Sequence, residues 1–227
     1  MPLSRRLAAE FIGTLLLLAT VVGSGIMGVN LSSGNDGIAL LANAAATAGA
    51  LFVLITLFAT ISGAHFNPAV TLALRLQSLI STRDALAYVA VQLIGAVLGV
   101  VLAHVMFGLA LVQPGLHART GLAQWTSEAV ATFGLLLTIL LGARQRPTAL
   151  PALVASYIFA AYWFTASTSF ANPAVTLARS LTQSFSGIRP VDVIGFVAAQ
   201  CVGALAGAGV AHWFTRLRNG AGETPHP

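Results

Sequence analysis

Charge is what this sequence has least of. Only 7% of its 227 residues are Asp, Glu, Lys or Arg, and 57% are apolar; a soluble domain carries about 25% charged residues. An integral membrane protein is the class that fits. Lysine is missing altogether, so the formal charge of +5 comes from eleven arginines. They are scattered among apolar runs, as in a membrane protein with a positive-inside bias, and no nucleic-acid partner is expected. Cysteine occurs once, as Cys201 inside an apolar run, which excludes a disulfide or a thiolate metal site within one chain. The five histidines fall in different segments, so neither a metal nor a cofactor is expected. No nucleophile, base and metal constellation supports enzymatic chemistry. Arg5-Arg6 before a long apolar stretch could be a secretory signal, but Glu10 lies within the run, which continues to about Met27; it reads as a span.

What the sequence does have is one stretch twice. Asn67-Pro68-Ala69-Val70-Thr71-Leu72-Ala73 returns residue for residue as Asn172-Pro173-Ala174-Val175-Thr176-Leu177-Ala178. Asn caps free backbone N–H groups, and Pro at the first helical position lacks only a donor that would be unpaired anyway. Each copy therefore opens a helix. Polar residues from Ser78 and from Ser184 end the two apolar runs, so each helix has roughly twelve residues and spans about 18 Å, about half of a bilayer.

Around these half-helices six spans are expected, at about Leu7–Met27, Ile38–Thr60, Asp84–Gly108, Leu122–Gly142, Leu150–Phe164 and Val191–Phe214. Six spans of about 22 residues and two half-helices use about 155 residues, which leaves no room for a second domain. The whole of 1–227 reads as a single channel domain: repeat one at about 5–110, repeat two at about 121–215, and a polar tail at 216–227. Glu10 matches Glu128, and Gln92 and His104 match Gln200 and His212 at one common offset. Three spans plus a half-helix make each unit, and an odd number of spans turns the second unit upside down. Both half-helix N-termini then meet near the midplane, with an Asn donor each, at a site suited to a neutral hydroxylated or amine solute and repellent to cations. With the N-terminus inside, eight arginines are cytoplasmic and Arg119, Arg179 and Arg189 lie outside, which favours cytoplasmic N- and C-termini. Gly95-x-x-x-Gly99 and Gly203-x-x-x-Gly207 are close-packing surfaces. An ion-coupled transporter could also use inverted repeats, but no acid is positioned to carry a coupling ion.

Paired Asn-Pro-Ala motifs, Ser62-Gly63-Ala64-His65-Phe66 before the first copy, a Glu in spans one and four, and six spans with two half-helices together resemble the aquaporin and aquaglyceroporin family from about Leu7 to Phe214. The resemblance implies an all-α membrane fold and a passive pore in each subunit of a homotetramer in membrane lipid. Asn67 and Asn172 would donate to the solute at the midplane, Pro68, Ala69, Pro173 and Ala174 completing the motifs. Glu10 and Glu128 would support the re-entrant loops rather than relay protons. The family's outer filter, carried over by spacing, falls on Thr47, Ala160, Ser169 and Val175, with Phe159, Trp163 or Phe164 one turn away from Ala160 as alternatives.

Val175 stands where most of the family has arginine, so the filter is expected to be wide and weakly polar. That departure resembles a small bacterial subgroup associated with arsenic resistance. It implies arsenous acid, other arsenicals or metalloids, and polyols such as glycerol as solutes, and the bacterial inner membrane as location. Water and glycerol alone are the alternative. His65 is a candidate pore-lining residue. Arg179, four residues after Val175 and about 6 Å further out, either puts positive charge in the outer vestibule or snorkels.

Overall fold

The computed structural model describes residues 1–219, with side chains through Thr215. The expected tail at 216–227 lies outside the described side chains. All regular structure among the described residues is helical. The first repeat comprises α1 (Leu3–Leu31), α2 (Asp36–Ser62), the half-helix α3 (Pro68–Leu76) and α4 (Thr82–Met106). The second comprises α5 (Leu122–Gln145), α6 (Leu150–Phe164), the half-helix α7 (Pro173–Arg179) and α8 (Val193–Asn219). Among the described residues six helices are long and apolar enough to cross a membrane.

Start and stop chemistry explains most of the boundaries. The Asn35 side chain accepts from the Ile38 N–H to open α2, and the Ser81 hydroxyl accepts from the Asp84 N–H to open α4. α1 starts four residues before the expected Leu7, because its first turn is anchored: Arg6 donates to Tyr88 Oη and to Asp84, both at 2.8 Å. The half-helices are shorter than the expected twelve residues, nine in α3 and seven in α7, or about 14 and 10 Å. α3 stops where Ser78 turns into the left-handed region at φ 60°. α7 stops where the Ser180 hydroxyl bonds back to the Leu177 carbonyl at 2.6 Å.

Small residues bring the spans together. α4 packs on α1 so closely that a Cβ at Gly95 would come within 2.6 Å of the Phe11 carbonyl oxygen. α8 repeats this on α5, where a Cβ at Gly207 would come within 2.6 Å of the Phe133 carbonyl. Gly99 and Gly203 meet the Leu15 and Ala129 carbonyls in the same way. Such approach suits helices in lipid, where association rests on packing rather than on the hydrophobic effect. The outward faces carry exposed apolar side chains, among them Leu57, Ile94 and Val202. The interior face, by contrast, collects polar groups around the two re-entrant loops.

Candidate functional site

Both loops that approach the half-helices are irregular in the same register. Gly63, Ala64 and Phe66 have positive φ in the first, and Thr168, Ser169 and Ala171 in the second, at φ 48–61° for the five non-glycine residues. Backbone of this kind leaves N–H groups that helices cannot pair, and buried N–H groups need acceptors. Glu10 supplies them in the first loop. Its Oε1 accepts from Ser62 Oγ at 2.6 Å and the His65 N–H at 2.9 Å, and its Oε2 from the Phe66 N–H at 2.7 Å and Gln92 Nε2 at 2.9 Å. Glu128 accepts from the Phe170 and Ala171 N–H groups at 2.9 and 2.8 Å and from Gln200 Nε2 at 2.6 Å. Gln92 and Gln200 also donate to Thr71 and Thr176, whose hydroxyls bond the Asn67 and Asn172 carbonyls. Both glutamates are fully buried.

The asparagines sit at the junction of the two loops. Asn67 Oδ1 accepts from the Ala69 N–H at 2.8 Å, capping α3, while its Nδ2 donates to the Ala171 carbonyl at 2.7 Å. Asn172 Oδ1 accepts from the Ala174 N–H at 2.9 Å, and its Nδ2 donates to the Phe66 carbonyl at 2.8 Å. An amide NH2 has two donors, so each Asn keeps one N–H beyond its bond to the opposite loop. Both residues line the same cavity. Pro68 and Pro173 occupy the first helical positions, and Ala69 and Ala174 are buried.

That cavity, about 90 Å³, is walled by both repeats and has room for a few water-sized molecules. Apolar residues such as Val21, Leu51, Ile55, Leu135, Ile139 and Val154 form much of its wall. Thr47, Ser169 and Val175 line it, all at least 95% buried. Ser169 Oγ has no hydrogen-bond partner among the described residues.

Ala160 does not line it. This position is exposed on the outer face of α6, and Trp163 and Phe164 are 48% and 56% exposed. The residues of α6 on the cavity are Leu150, Val154, Ile158 and Tyr162, each four apart and so on one face. Tyr162 rather than Ala160 is therefore the α6 residue on the cavity beside Thr47, and its phenol lies 3.2 Å from Thr47 Oγ1. The cavity wall at this point is accordingly more polar than a ring of small side chains.

Arg179 is 1% exposed and lines the same cavity rather than snorkelling. Its guanidinium carbon stands 3.4 Å from the Phe170 ring centroid, and its Nε donates to the Ser186 carbonyl. Arg119 approaches the same ring at 5.0 Å and donates to the Gly187 and Ser167 carbonyls at 2.9 and 3.1 Å. In the loop that joins the repeats, burial and then the charges of Arg119 and Arg179 hold the His117 imidazole below its ordinary pKa. At the other end His65 lines the cavity, with Nδ1 3.1 Å from Thr71 Oγ1 and its ring edge-on to Tyr88. His104 is buried between the Leu111 carbonyl and Thr182, whereas its repeat mate His212 is exposed. No cluster of three metal-ligating side chains occurs among the described residues.

Six spans, two half-helices and a cavity running past paired asparagines define a membrane channel built as an inverted repeat. The major intrinsic protein family matches residues 1–166 and again 149–226, and the chain belongs to that family. Aquaglyceroporin AqpS of Rhizobium meliloti (strain 1021) is 54% identical over 211 residues, 93% of this chain and 90% of that one. Probable aquaporin TIP2-2 of Oryza sativa subsp. japonica is 38% identical over 133 residues, 58% of this chain and 54% of its own. The X-ray structure of the aquaglyceroporin from Plasmodium falciparum superposes with a TM-score of 0.75 at 18% identity, covering 96% of this chain and 97% of that chain, a likeness of fold. The chain is thus an integral membrane channel and not an enzyme.

Proposed function

We propose that the chain is a passive pore for small uncharged solutes, with arsenous acid, related arsenicals and metalloids, and polyols such as glycerol as its leading cargo. The observation that carries this reading is a cavity wall that mixes polar groups with hydrocarbon. Asn67, Asn172, Ser169, Thr47 and Tyr162 contribute amides and hydroxyls, while Val175, Leu51, Ile55, Val154 and Ile158 contribute hydrocarbon. A trihydroxy molecule that presents oxygens to one side and little charge to the other matches such a wall. Arsenous acid at neutral pH and glycerol share that character. The 54% identity to a protein called an aquaglyceroporin supports the polyol part.

In this reading the Asn pair donates to the passing solute, and Thr47, Tyr162, Ser169 and Val175 form the filter. His65 and Arg179 flank the solute path at its two ends, and Glu10 and Glu128 hold the loops. The working unit is a homotetramer in membrane lipid, in a bacterial inner membrane with both termini cytoplasmic.

A second reading, an ordinary water and glycerol facilitator, is favoured by the Tyr162 phenol at the opening. Fluxes of arsenous acid, glycerol and water into proteoliposomes separate the two. Val175→Arg is expected to cut arsenous acid flux about tenfold, a barrier change of about 1.4 kcal/mol, while water flux stays within about twofold. Wild-type arsenous acid flux at the level of empty liposomes, with fast water, would leave the facilitator reading standing.

A further inference from the structure

Val175 leaves its own position without a charged donor, yet a guanidinium stands at the same opening. Side chains on a helix lean toward its N-terminus. Arg179, one turn beyond Val175 on α7, therefore reaches back to the level of Phe170, next in sequence to the filter residue Ser169. The Ser186 carbonyl takes its Nε and the Phe170 ring supports its plane. No acceptor among the described residues takes its terminal nitrogens, and no carboxylate pairs with it.

The surrounding charges do not neutralise it. Arg119, over the same ring, is held by carbonyls. Asp192 is occupied by the Arg119 backbone N–H at 2.8 Å and by the Arg189 guanidinium at 2.9 and 3.1 Å. Glu128 spends its oxygens on the second loop and Gln200. A buried, unpaired guanidinium is costly, and the ring and carbonyl contacts offset only part of that. Its side chain nonetheless stands on the cavity wall, where a fixed positive charge raises a barrier to cations and protons.

We propose that Arg179 is the specificity-determining cation of this pore, supplying from one turn further along α7 the charge that Val175 omits. The space beside Val175 is thereby open to polyhydroxy solutes, while the Arg179 guanidinium offers donors to their oxygens and repels cations. This rests on the reading of the protein as a neutral-solute pore.

The full chain in proteoliposomes, with an internal pH dye and a potassium gradient clamped by valinomycin, tests it. Arg179→Gln, which keeps a donor for the Ser186 carbonyl, is predicted to raise proton and cation leak about tenfold. Arg179→Lys and the double variant V175R/R179Q are predicted to return it to the wild-type level. An Arg179→Gln channel that conducts glycerol and stays as tight as wild type overturns the proposal. So does a double variant as leaky as R179Q, since the leak would then come from disturbed packing. The reversal potential of the residual wild-type leak, read in a planar bilayer under a KCl gradient without valinomycin, needs no variant: a preference for chloride over potassium is predicted, and a preference for potassium overturns the proposal. Absent glycerol flux in the wild type is a different failure, that of the pore reading itself.

Discussion

At the scale of single residues, each asparagine divides its amide among separate tasks: the oxygen caps its own half-helix, one N–H ties down the opposite loop, and one N–H is left over, which in the proposed pore serves the solute. Replacing Asn172 with Asp would keep the cap and remove the donors. The expected outcome is a folded channel with glycerol flux reduced about tenfold, read by stopped-flow light scattering. Glu128 acts on shape instead. Glu128→Gln turns one acceptor oxygen into a donor facing loop N–H groups, and charged-acceptor bonds of this kind are worth about 1.5–3 kcal/mol each. A drop in thermal stability in detergent is expected from that substitution, with little change in which solutes pass. Arg179 and His117 are linked through charge: with one of the two cations gone, Arg179→Gln should move the His117 pKa up toward its ordinary value. Titration of the His117 resonance by NMR checks the sign; an unmoved value would mean that burial and Arg119 hold it down without Arg179.

Elements decide where those residues point, and here the sequence was legible in some places and opaque in others. Asn-Pro marks both half-helix starts, because capping and the missing proline donor are local chemistry. The glycine pairs of α4 and α8 were equally plain, since close approach leaves its mark on residue size. The phase of α6 was not, because the irregular loop between Thr165 and Ala171 breaks any count carried back from the second motif. Spacing fell on Ala160, while the face that meets the cavity is the run Leu150, Val154, Ile158 and Tyr162, whose four-residue interval was the available signal. The stacking of Arg179 on Phe170 was hidden for a similar reason: it depends on a left-handed loop conformation that no pattern announces. One prediction belongs to this scale. Gly203→Val should push α8 off α5 and destabilise the protein by about 1–3 kcal/mol, whereas Gly209→Ala, with nothing within 4 Å of its added Cβ, should be silent in the same thermal assay.

For the whole molecule, inversion makes one structural solution serve twice. Glu10, Gln92, Thr71 and Asn67 in one repeat correspond to Glu128, Gln200, Thr176 and Asn172 in the other, so the two loops meet as equals at the asparagines. The symmetry ends at the proposed filter, where Thr47 comes from the first half and Tyr162, Ser169 and Val175, with Arg179 beside them, come from the second. A scaffold held from both sides around one cavity, in a member of the major intrinsic protein family, fits conduction down the gradient. The direct test is uptake of labelled glycerol and of arsenous acid by proteoliposomes, with proton, sodium and potassium gradients imposed in either direction. The account predicts that each solute equilibrates to the outside concentration at a rate indifferent to those gradients. Accumulation above the outside concentration, or uptake no faster than in empty liposomes, would contradict it.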